Sequence, residues 1–448
     1  MTGLDFSTIF STLGGGLWTI AFFIIALSII VFIHEYGHYI VGRWSGIHAE
    51  VFSIGFGPVL VARTDRCGTK WQIAAIPFGG YVKFMGDANA ASGVDGDAMA
   101  GLSAEERRHT MHGAPLWARA ATVAAGPIFN FLLTIAVFLG FLWTMGIATD
   151  EPVVGKLKPT PYVGETIRPG DRIIALAGQP TPDFEAFSTA MDGLPAVPEV
   201  DYRVIRNGQE IDLKGPHPLP PLVGQVHPLS AAGDAGLKAG DVILAVDGRA
   251  VATFAELPAI VEATGDKPLT LTIWREGAQE DVTLTPRRRD LPKAEGGFET
   301  RWLIGLTGGL VFEPATRTPG PVEAMRLALT QTWDLAVTSM SGLWHIVTGA
   351  ISTCNISGPI GMADMMGEAA RGGVEEFFTR LAVLSLGIGI LNLFPIPVLD
   401  GGHLVFHAYE AVTGRPPSER AMRILMTAGL ALLLSFMLFA ISNDLFCT

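Results

Sequence analysis

The chain has 448 residues, of which 49% are hydrophobic and only 17% are charged. Soluble domains carry about 25% charged residues, so this composition indicates a membrane protein with soluble parts. The net charge of -12 argues against nucleic acid as a partner, because nucleic-acid-binding proteins show a basic face or stripe.

Four stretches approach or exceed the ~20 apolar residues that a helix needs to cross a bilayer. They are residues 17–41, 121–147, 381–399 and 424–441. The first is too long for the core of a signal peptide, so we predict a retained span. The sequence therefore predicts an α-helical polytopic membrane protein with four transmembrane helices.

The first span contains three ionisable residues in the run IHEYGH. A helix places His34 and His38 on one face, where both imidazoles can bind one metal ion, and Glu35 lies beside them. In such HExxH sites the glutamate accepts a proton from the attacking water while the metal polarises a carbonyl. A charged group at the centre of a span costs roughly 2.5 to 3.5 kcal/mol, which favours a functional site over a metal-free histidine pair.

The segment after the first span, residues 49–87, alternates β-rich runs with turns that contain glycine, proline or Asp-Arg-Cys-Gly. This pattern predicts a small sheet of three or four strands. The segment is too apolar for a solvated loop. We therefore expect the sheet to be associated with the membrane.

The region after the second span contains an internal repeat with an offset of 69 to 70 residues. RPGDRIIALAGQPTPDF from Arg168 recurs as KAGDVILAVDGRAVATF from Lys238, and IRNGQE from Ile205 recurs as WREGAQE from Trp274. Short strands, glycine turns and one helix per copy resemble bacterial PDZ domains, which bind peptide ends by strand addition. The first copy lacks the AAGDAGL helix start of the second, so a spacer or steric filter is an equal alternative there.

The chain after the repeats leads to a broken third span. Residues 321–351 predict an amphipathic helix at the membrane interface, with a soluble packing helix as the alternative. Pro395 and Pro397 in NLFPIPVLDGG then forbid a regular helix, and irregular backbone at membrane depth is expected to line a cavity. A catalytic zinc ion takes three protein ligands. Asp400 is the first candidate for the third ligand and His403 the second, ahead of His407 and Asp364.

The distribution of lysine and arginine predicts the orientation of the chain. Basic residues cluster between spans one and two and between spans three and four, at Arg43, Arg63, Arg66, Lys70, Lys83, Arg107, Arg108, Arg119, Arg415, Arg420 and Arg423. These two loops are expected in the cytoplasm. Both termini and the repeated units are then periplasmic, and Arg380 is the exception to the rule.

Four motifs together resemble the site-2 protease family of intramembrane zinc metalloproteases, in particular the regulator of sigma-E protease group. They are HEYGH, GPIFN from Gly126, SGPIGMA from Ser357 and NLFPIPVLDGGH from Asn392. The resemblance covers nearly the whole chain. It implies zinc bound by His34, His38 and Asp400, Glu35 as general base, Asn392 in substrate binding, and a re-entrant sheet that pairs with an extended substrate.

The leading hypothesis is an intramembrane zinc metalloprotease of the bacterial inner membrane that cleaves single-pass membrane proteins. The resemblance implies an anti-sigma factor as substrate, and also remnant signal peptides, with the PDZ-like pair restricting access and lipid as the surrounding partner. Two alternatives remain from other classes of protein. One is a membrane metal-ion transporter that uses the same groups, and the other is a catalytically silent PDZ scaffold.

These interpretations divide the chain into eight predicted segments. They are 1–42, the first helix with HExxH; 43–114, the re-entrant sheet and loop; 115–148, the second helix; 149–218 and 219–312, the two PDZ-like domains; 313–374, the interfacial helices; 375–402, the third transmembrane segment; and 403–448, a cytoplasmic loop and the fourth helix.

Overall fold

The computed structural model describes residues 15–88, 101–162, 166–227, 230–292 and 298–446. These residues form two compact units. The first unit takes the described parts of Met1–Phe141, Ala324–Val347 and Thr353–Thr448, and the second takes those of Leu142–Glu323 and Thr348–Ser352. Residues 1–14, which open the first predicted segment, lie outside the described residues.

The helices and the strands are each numbered in chain order. The helices are α1 (Gly15–Trp44), α2 (Ala104–Arg108), α3 (Leu116–Thr144), α4 (Phe184–Asp192), α5 (Ala231–Asp234), α6 (Leu257–Thr264), α7 (Pro321–Val347), α8 (Pro359–Gly372), α9 (Val374–Asn392), α10 (Asp400–Thr413) and α11 (Glu419–Phe446). The strands are β1 (Ala49–Thr64), β2 (Lys70–Phe84), β3 (Ile147–Ala148), β4 (Val154–Leu157), β5 (Arg172–Leu176), β6 (Gln179–Pro180), β7 (Glu199–Arg206), β8 (Gln209–Pro216), β9 (Val223–Val226), β10 (Val242–Val246), β11 (Arg249–Ala250), β12 (Leu269–Arg275), β13 (Ala278–Leu284), β14 (Arg287–Pro292), β15 (Phe298–Leu303), β16 (Leu306–Gly308), β17 (Phe312–Pro314) and β18 (Thr316–Arg317).

Within the described residues, three helices are long and apolar enough to cross a membrane: Gly15–Trp44, Leu116–Thr144 and Arg420–Phe446. The predicted third span, residues 381–399, has other bounds in the structure, because α9 ends at Asn392 and α10 begins at Asp400. The first turns of α9 contain Glu375, Glu376 and Arg380. The apolar part that remains is about 18 Å long at 1.5 Å per residue, which is short for a hydrocarbon core of about 30 Å. Four transmembrane helices therefore remain a prediction.

Two buried clusters hold the first unit together, one at each half of α1. Ala26 and Ile30 of α1 pack against Met366 of α8 and against Phe377 and Leu381 of α9. A second cluster joins the later part of α1 to β1, β2 and the start of α3, through Tyr39, Ile47, Ala49, Phe52, Val82, Phe84, Met111, Ala114, Ala118 and Val123. The HExxH turn of α1 lies between these two clusters.

Strands β1 and β2 form the predicted small sheet. Val51 to Ile54 lie opposite Lys83 to Gly80 and also opposite Lys70 to Ile73. The first half of β1 therefore lies between the two ends of β2, while the second half of β1 pairs with the start of β2 alone. The two long strands thus supply four paired segments, as the sequence pattern predicted, and Gly80–Phe84 forms one edge.

Glycine allows both long strands to bend. Gly55 has φ of +86°, and Gly79 has φ of +117°, a backbone region in which residues with a Cβ are strained. A Cβ at Gly55 would also meet the carbonyl oxygen of Ile76 at 2.7 Å. These two glycines therefore allow the strands to bend so that four paired segments form.

The second unit contains the predicted repeat. Its two four-stranded sheets have equivalent orders, β6-β5-β7-β8 and β11-β10-β12-β13. Arg206 donates to both carboxylate oxygens of Asp171, and Arg275 donates to both oxygens of Asp241, so the same bidentate ion pair occurs in each copy. The structure thus confirms the internal repeat.

The first copy of the repeat is completed by residues that follow the second copy. Strand β17 pairs with β4, and Val311 and Phe312 belong to the buried core of the first copy. Strand β16 pairs with β9 of the second copy. The second copy is thus inserted between two parts of the first, and the boundaries 149–218 and 219–312 remain a prediction.

Helix α7 confirms the helix predicted after the repeats and exposes one apolar stripe. Its members recur every three or four residues, at Val322, Met325, Leu329, Trp333, Val337, Met340, Trp344 and Val347. Such a stripe is typical of a helix that lies in a membrane interface or covers another surface. Its interfacial placement remains a prediction.

Two of the three cysteines have a defined state. Cys354 is disulfide-bonded, and Cys67 is an exposed free thiol. The wide spacing of the cysteines in the sequence gives no indication of this bond. Cys447 lies outside the described residues.

Candidate active site

Helix α1 brings His34 and His38 together because residues four apart share a helical face. Their Nε2 atoms are 3.2 Å apart. His34 is 9% exposed, and Glu35 lies next to it in a partly buried position. The structure therefore places the three residues of the motif in one small site.

Asp400 completes a three-residue group in which one atom of each residue lies within 4.8 Å of the others. Its Oδ2 is 3.1 Å from His34 Nε2 and 3.6 Å from His38 Nε2. Ligand atoms at 2.0 to 2.1 Å from a tetrahedral zinc ion are separated by about 3.3 Å. Asp400 Oδ2 is also buried without a hydrogen-bond partner. The donor set and its spacing fit zinc.

The break between α9 and α10 puts Asp400 at this site. After Asn392 the chain forms tight turns, in which Ile396 N donates to Phe394 O and Leu399 N donates to Ile396 O. Helix α10 then begins with Asp400. A Cβ at Gly401 would overlap the carbonyl groups of the preceding turn, so the close return of the chain requires glycine. The proline-containing break between the two helices thus places a carboxylate at the metal site.

Helix α3 holds both histidine rings through hydrogen bonds, a role that the sequence alone did not reveal. The carbonyl oxygen of Thr122 accepts a hydrogen bond from His38 Nδ1 at 2.8 Å, and the side chain of Asn130 is 3.2 Å from His34 Nδ1. Gly126 lies between them, and a Cβ there would overlap both imidazoles. The spacing of Thr122, Gly126 and Asn130 on one helical face was the available signal.

A cavity next to the metal site connects it to the edge of the sheet. Its lining includes Glu35, His38 and Asp400, together with Gly80, Tyr81, Val82, Phe84, Met111, Thr122, Val123, Val398, His403 and Met426. The backbone of Val82 lies beside the carboxylate of Glu35. The edge segment Gly80–Phe84 therefore runs directly beside the site.

The other predicted site residues lie apart from the three-residue group. His403 lines the cavity, but within the described residues the group contains Asp400 and neither His403, His407 nor Asp364. Asn392 is the last residue of α9 and is partly buried. It is not among the residues that line the cavity, so its role in substrate binding remains a prediction.

The helices and the site define a class of protein: a metalloprotease with its HExxH motif on a helix long and apolar enough to span a membrane. The comparison with protein families agrees. The chain belongs to peptidase family M50, a zinc-dependent family, which it matches over residues 22–436.

Relatives of similar length support this assignment. A protein of Rhizobium meliloti, named as a candidate zinc metalloprotease, is 37% identical over 429 residues, which are 96% of this chain and 96% of that protein. The regulator of sigma-E protease RseP of Salmonella typhimurium is 36% identical over an alignment of 460 positions, which covers 96% of this chain and 98% of that protein. Among solved structures, a PDZ domain of an SdrC-like protein from Listeria monocytogenes matches 19% of this chain and 84% of its own, at 20% identity and a TM-score of 0.16.

Proposed function

We propose that this protein is an intramembrane protease of the bacterial inner membrane that cleaves peptide bonds within the membrane-spanning segments of single-pass proteins. The observation that carries the proposal is the group of His34, His38 and Asp400 beside Glu35. The family assignment supports zinc as the metal. The apolar helices around the site support a substrate that also lies in the bilayer.

Each residue of the site has a distinct role in this proposal. His34, His38 and Asp400 hold the metal through two imidazole nitrogens and one carboxylate oxygen. When bound, zinc supplies a Lewis acid that activates water and polarises the scissile carbonyl. Glu35 accepts the proton from the attacking water and delivers it to the leaving amine. Because Glu35 is partly buried beside the ligands and lines the same cavity, its carboxylate is held close to the reacting atoms.

The edge segment Gly80–Phe84 binds the substrate in an extended conformation. A transmembrane helix satisfies its backbone groups internally, so an unwound substrate needs new hydrogen-bond partners inside the membrane. The segment pairs with β1 on one side, and its outer side lines the cavity. The amide of Phe84 donates to Asp87 and not to β1, so the amide of Val82, two residues earlier on the strand, points to the same outer side. Asn392 takes part in substrate binding at the end of α9.

Partners and orientation follow from the repeated units and the basic loops. The substrates include an anti-sigma factor in envelope-stress signalling and remnant signal peptides. The two repeated units act as PDZ domains in the periplasm, where both termini also lie, and they admit substrates whose outer domain has already been removed. The active site is towards the cytoplasmic side, and the stripe on α7 lies in the membrane interface.

The two alternative functions have less support. A transporter would need ligand groups at several depths of the membrane, whereas the described residues contain one such three-residue group. A silent scaffold has no use for a glutamate beside the metal ligands. Cleavage by a metal-dependent mechanism is therefore the function that the site supports best.

The proposal is tested with Glu35→Gln in the full chain, co-expressed with a tagged single-pass substrate that lacks its outer domain. We expect the wild type to cleave the substrate and Glu35→Gln to leave it intact, because the amide cannot accept the proton. Zinc content should be similar in both proteins. Glu185→Gln, an exposed position on α4, is the matched control and should cleave normally.

Equal cleavage by the wild type and Glu35→Gln would rule out the protease proposal. Zinc bound with an affinity that does not depend on His34, His38 and Asp400 would rule out the assigned ligands.

A further inference from the structure

Helix α3 fixes the orientation of His38 through its backbone. The carbonyl oxygen of Thr122 can only accept a hydrogen bond, so the proton of the His38 ring lies on Nδ1. The lone pair of the neutral ring is then on Nε2, the atom that lies 3.2 Å from His34 Nε2. Thr122 thus leaves His38 in the tautomer that can bind a metal through Nε2.

Asn130 occupies the equivalent place beside His34, two turns further along α3. Its side chain is fully buried, and its Nδ2 lies 3.2 Å from His34 Nδ1. Its Oδ1 is buried as well and has no hydrogen-bond partner. A buried amide oxygen without a donor is costly, and His34 Nδ1 lies within hydrogen-bond distance of this side chain.

The two orientations of the Asn130 amide have opposite consequences for His34. With Nδ2 towards the ring, Nδ1 accepts, the ring proton lies on Nε2, and Oδ1 has no partner. With the amide rotated by a half-turn in the same volume, Oδ1 accepts from Nδ1–H and Nε2 carries the lone pair. Only the second orientation satisfies the buried oxygen and also gives His34 a nitrogen that can bind metal.

We propose that Asn130 is a positioning residue that accepts the Nδ1–H of His34 through its amide oxygen and thereby holds Nε2 free to bind the metal. The inference rests on the proposed function, since it concerns the same metal site. The backbone around Asn130 is well placed for this role, because its carbonyl accepts a hydrogen bond from Ser385 of α9 at 3.0 Å. Two helices therefore fix the position of the amide relative to the ring.

The proposal predicts that the acceptor atom matters and the amide itself does not. In Asn130→Asp, a carboxylate oxygen can still accept from Nδ1–H, whereas in Asn130→Leu a side chain of similar volume has no acceptor. Partners of metal-binding histidines typically contribute 10- to 100-fold to metal affinity. We expect Asn130→Leu to bind zinc about 10- to 100-fold more weakly and Asn130→Asp to stay within about 3-fold of the wild type.

The experiment measures zinc affinity of the purified full chain by competition with a chelator. Val137→Ala, two turns further along α3 and partly buried, is the control and should bind zinc as the wild type does. The absorption spectrum of the cobalt-substituted protein reports the ligand field, and it should be preserved in Asn130→Asp and altered in Asn130→Leu.

The outcomes separate this inference from the proposed function. Wild-type zinc affinity in Asn130→Leu, or an equal loss in Asn130→Leu and Asn130→Asp, overturns the positioning role and leaves the metal site intact. A wild-type protein that binds no zinc overturns the proposed function and this inference with it. Loss confined to Asn130→Leu supports the inference, because aspartate keeps an acceptor oxygen beside His34 Nδ1, whereas leucine fills a similar volume without one.

Discussion

Gly126 shows how strongly one residue constrains the metal site. It lies on α3 against both ligand histidines, and an added methyl group would overlap the two imidazole rings. We expect Gly126→Ala to lower zinc affinity at least tenfold, because the rings must move from the positions in which both Nε2 atoms face Asp400. Chelator competition with the purified protein measures the effect.

Gly140→Ala is the matched control for this prediction. The position is on the same helix, and a Cβ there would meet nothing within 4 Å. It should bind zinc normally, and both variants should keep the helix content of the wild type by circular dichroism. Unchanged zinc affinity in Gly126→Ala would show that the rings have more room than the structure gives them.

Asp400 and His403 are the two candidates for the third metal ligand. Asp400 Oδ2 lies within 3.6 Å of both histidine Nε2 atoms, while His403 lines the adjoining cavity. We therefore expect Asp400→Ala to lose most of its zinc and His403→Ala to retain it, as measured by metal analysis after dialysis. Full zinc in Asp400→Ala would move the third ligand to His403.

The sequence revealed the metal-binding histidines but not the residues that support them. The pair His34 and His38 was predictable, because the four-residue spacing alone fixes a shared helical face. Thr122 and Asn130 were not assigned as their supports, since they lie more than 80 positions away along the chain. Such contacts depend on how α1 and α3 pack.

At the scale of elements, the edge of the sheet is the part of the site that we expect to hold substrate. An edge strand tolerates proline where its N–H points outward, so Val82→Pro removes one outward donor with little damage to the sheet. We expect KM for a transmembrane substrate to rise about tenfold or more in Val82→Pro. Steady-state kinetics in detergent micelles provide the measurement.

Val82→Ala shortens the same side chain and keeps the N–H, so it serves as the control and should have nearly normal KM. Zinc content should be equal in both variants. A fall in kcat with unchanged KM would contradict strand pairing and would indicate that Val82 acts on Glu35 alone, since its backbone also lies beside that carboxylate.

The elements themselves were predictable to different degrees. The helices Gly15–Trp44, Leu116–Thr144 and Arg420–Phe446 follow from length and hydropathy, which are local properties, although the predicted stretch 121–147 extends past the end of the second helix. The predicted third span, residues 381–399, extends past the end of α9 at Asn392, because the residues before Pro395 already leave the helix in tight turns. Proline excludes a regular helix without fixing where the chain turns.

At the scale of the whole molecule, we expect the buried side chain of His217 to make the repeated unit sensitive to acid. The side chain is 5% exposed, and its Nδ1 accepts a hydrogen bond from Leu219 N at 3.1 Å. Burial lowers the pKa of His217 below its ordinary value of 6.5, because it disfavours the charged ring. The unfolded chain then binds more protons below about pH 6.5, so the stability contributed by the neutral ring is present above that pH and is lost as the pH falls.

Hydrogen exchange of residues 209–226 in the full chain tests this expectation. We expect exchange in the wild type to accelerate between pH 7 and pH 5, after correction for the intrinsic pH dependence, and we expect a smaller acceleration in His217→Gln. Equal acceleration in both proteins would assign the acid sensitivity to other groups.

The sequence did not reveal that the second copy of the repeat is inserted between two parts of the first. Similar residues at an offset of 69 to 70 revealed two copies, since equivalent turns and ion pairs need equivalent residues. The same comparison says nothing about which short strand completes which copy. β17 joins β4 through backbone hydrogen bonds, and these carry little residue preference.

By itself, the sequence determined the class of protein and the chemistry of its site. Three local signals were sufficient. They are the histidines four residues apart on a helix, the glutamate beside them, and the third apolar stretch, which prolines break before an aspartate. Only the tertiary structure decided which aspartate meets the histidines, which helix supports their rings and which strand edge borders the cavity. Those choices join residues distant in the chain, and packing determines them.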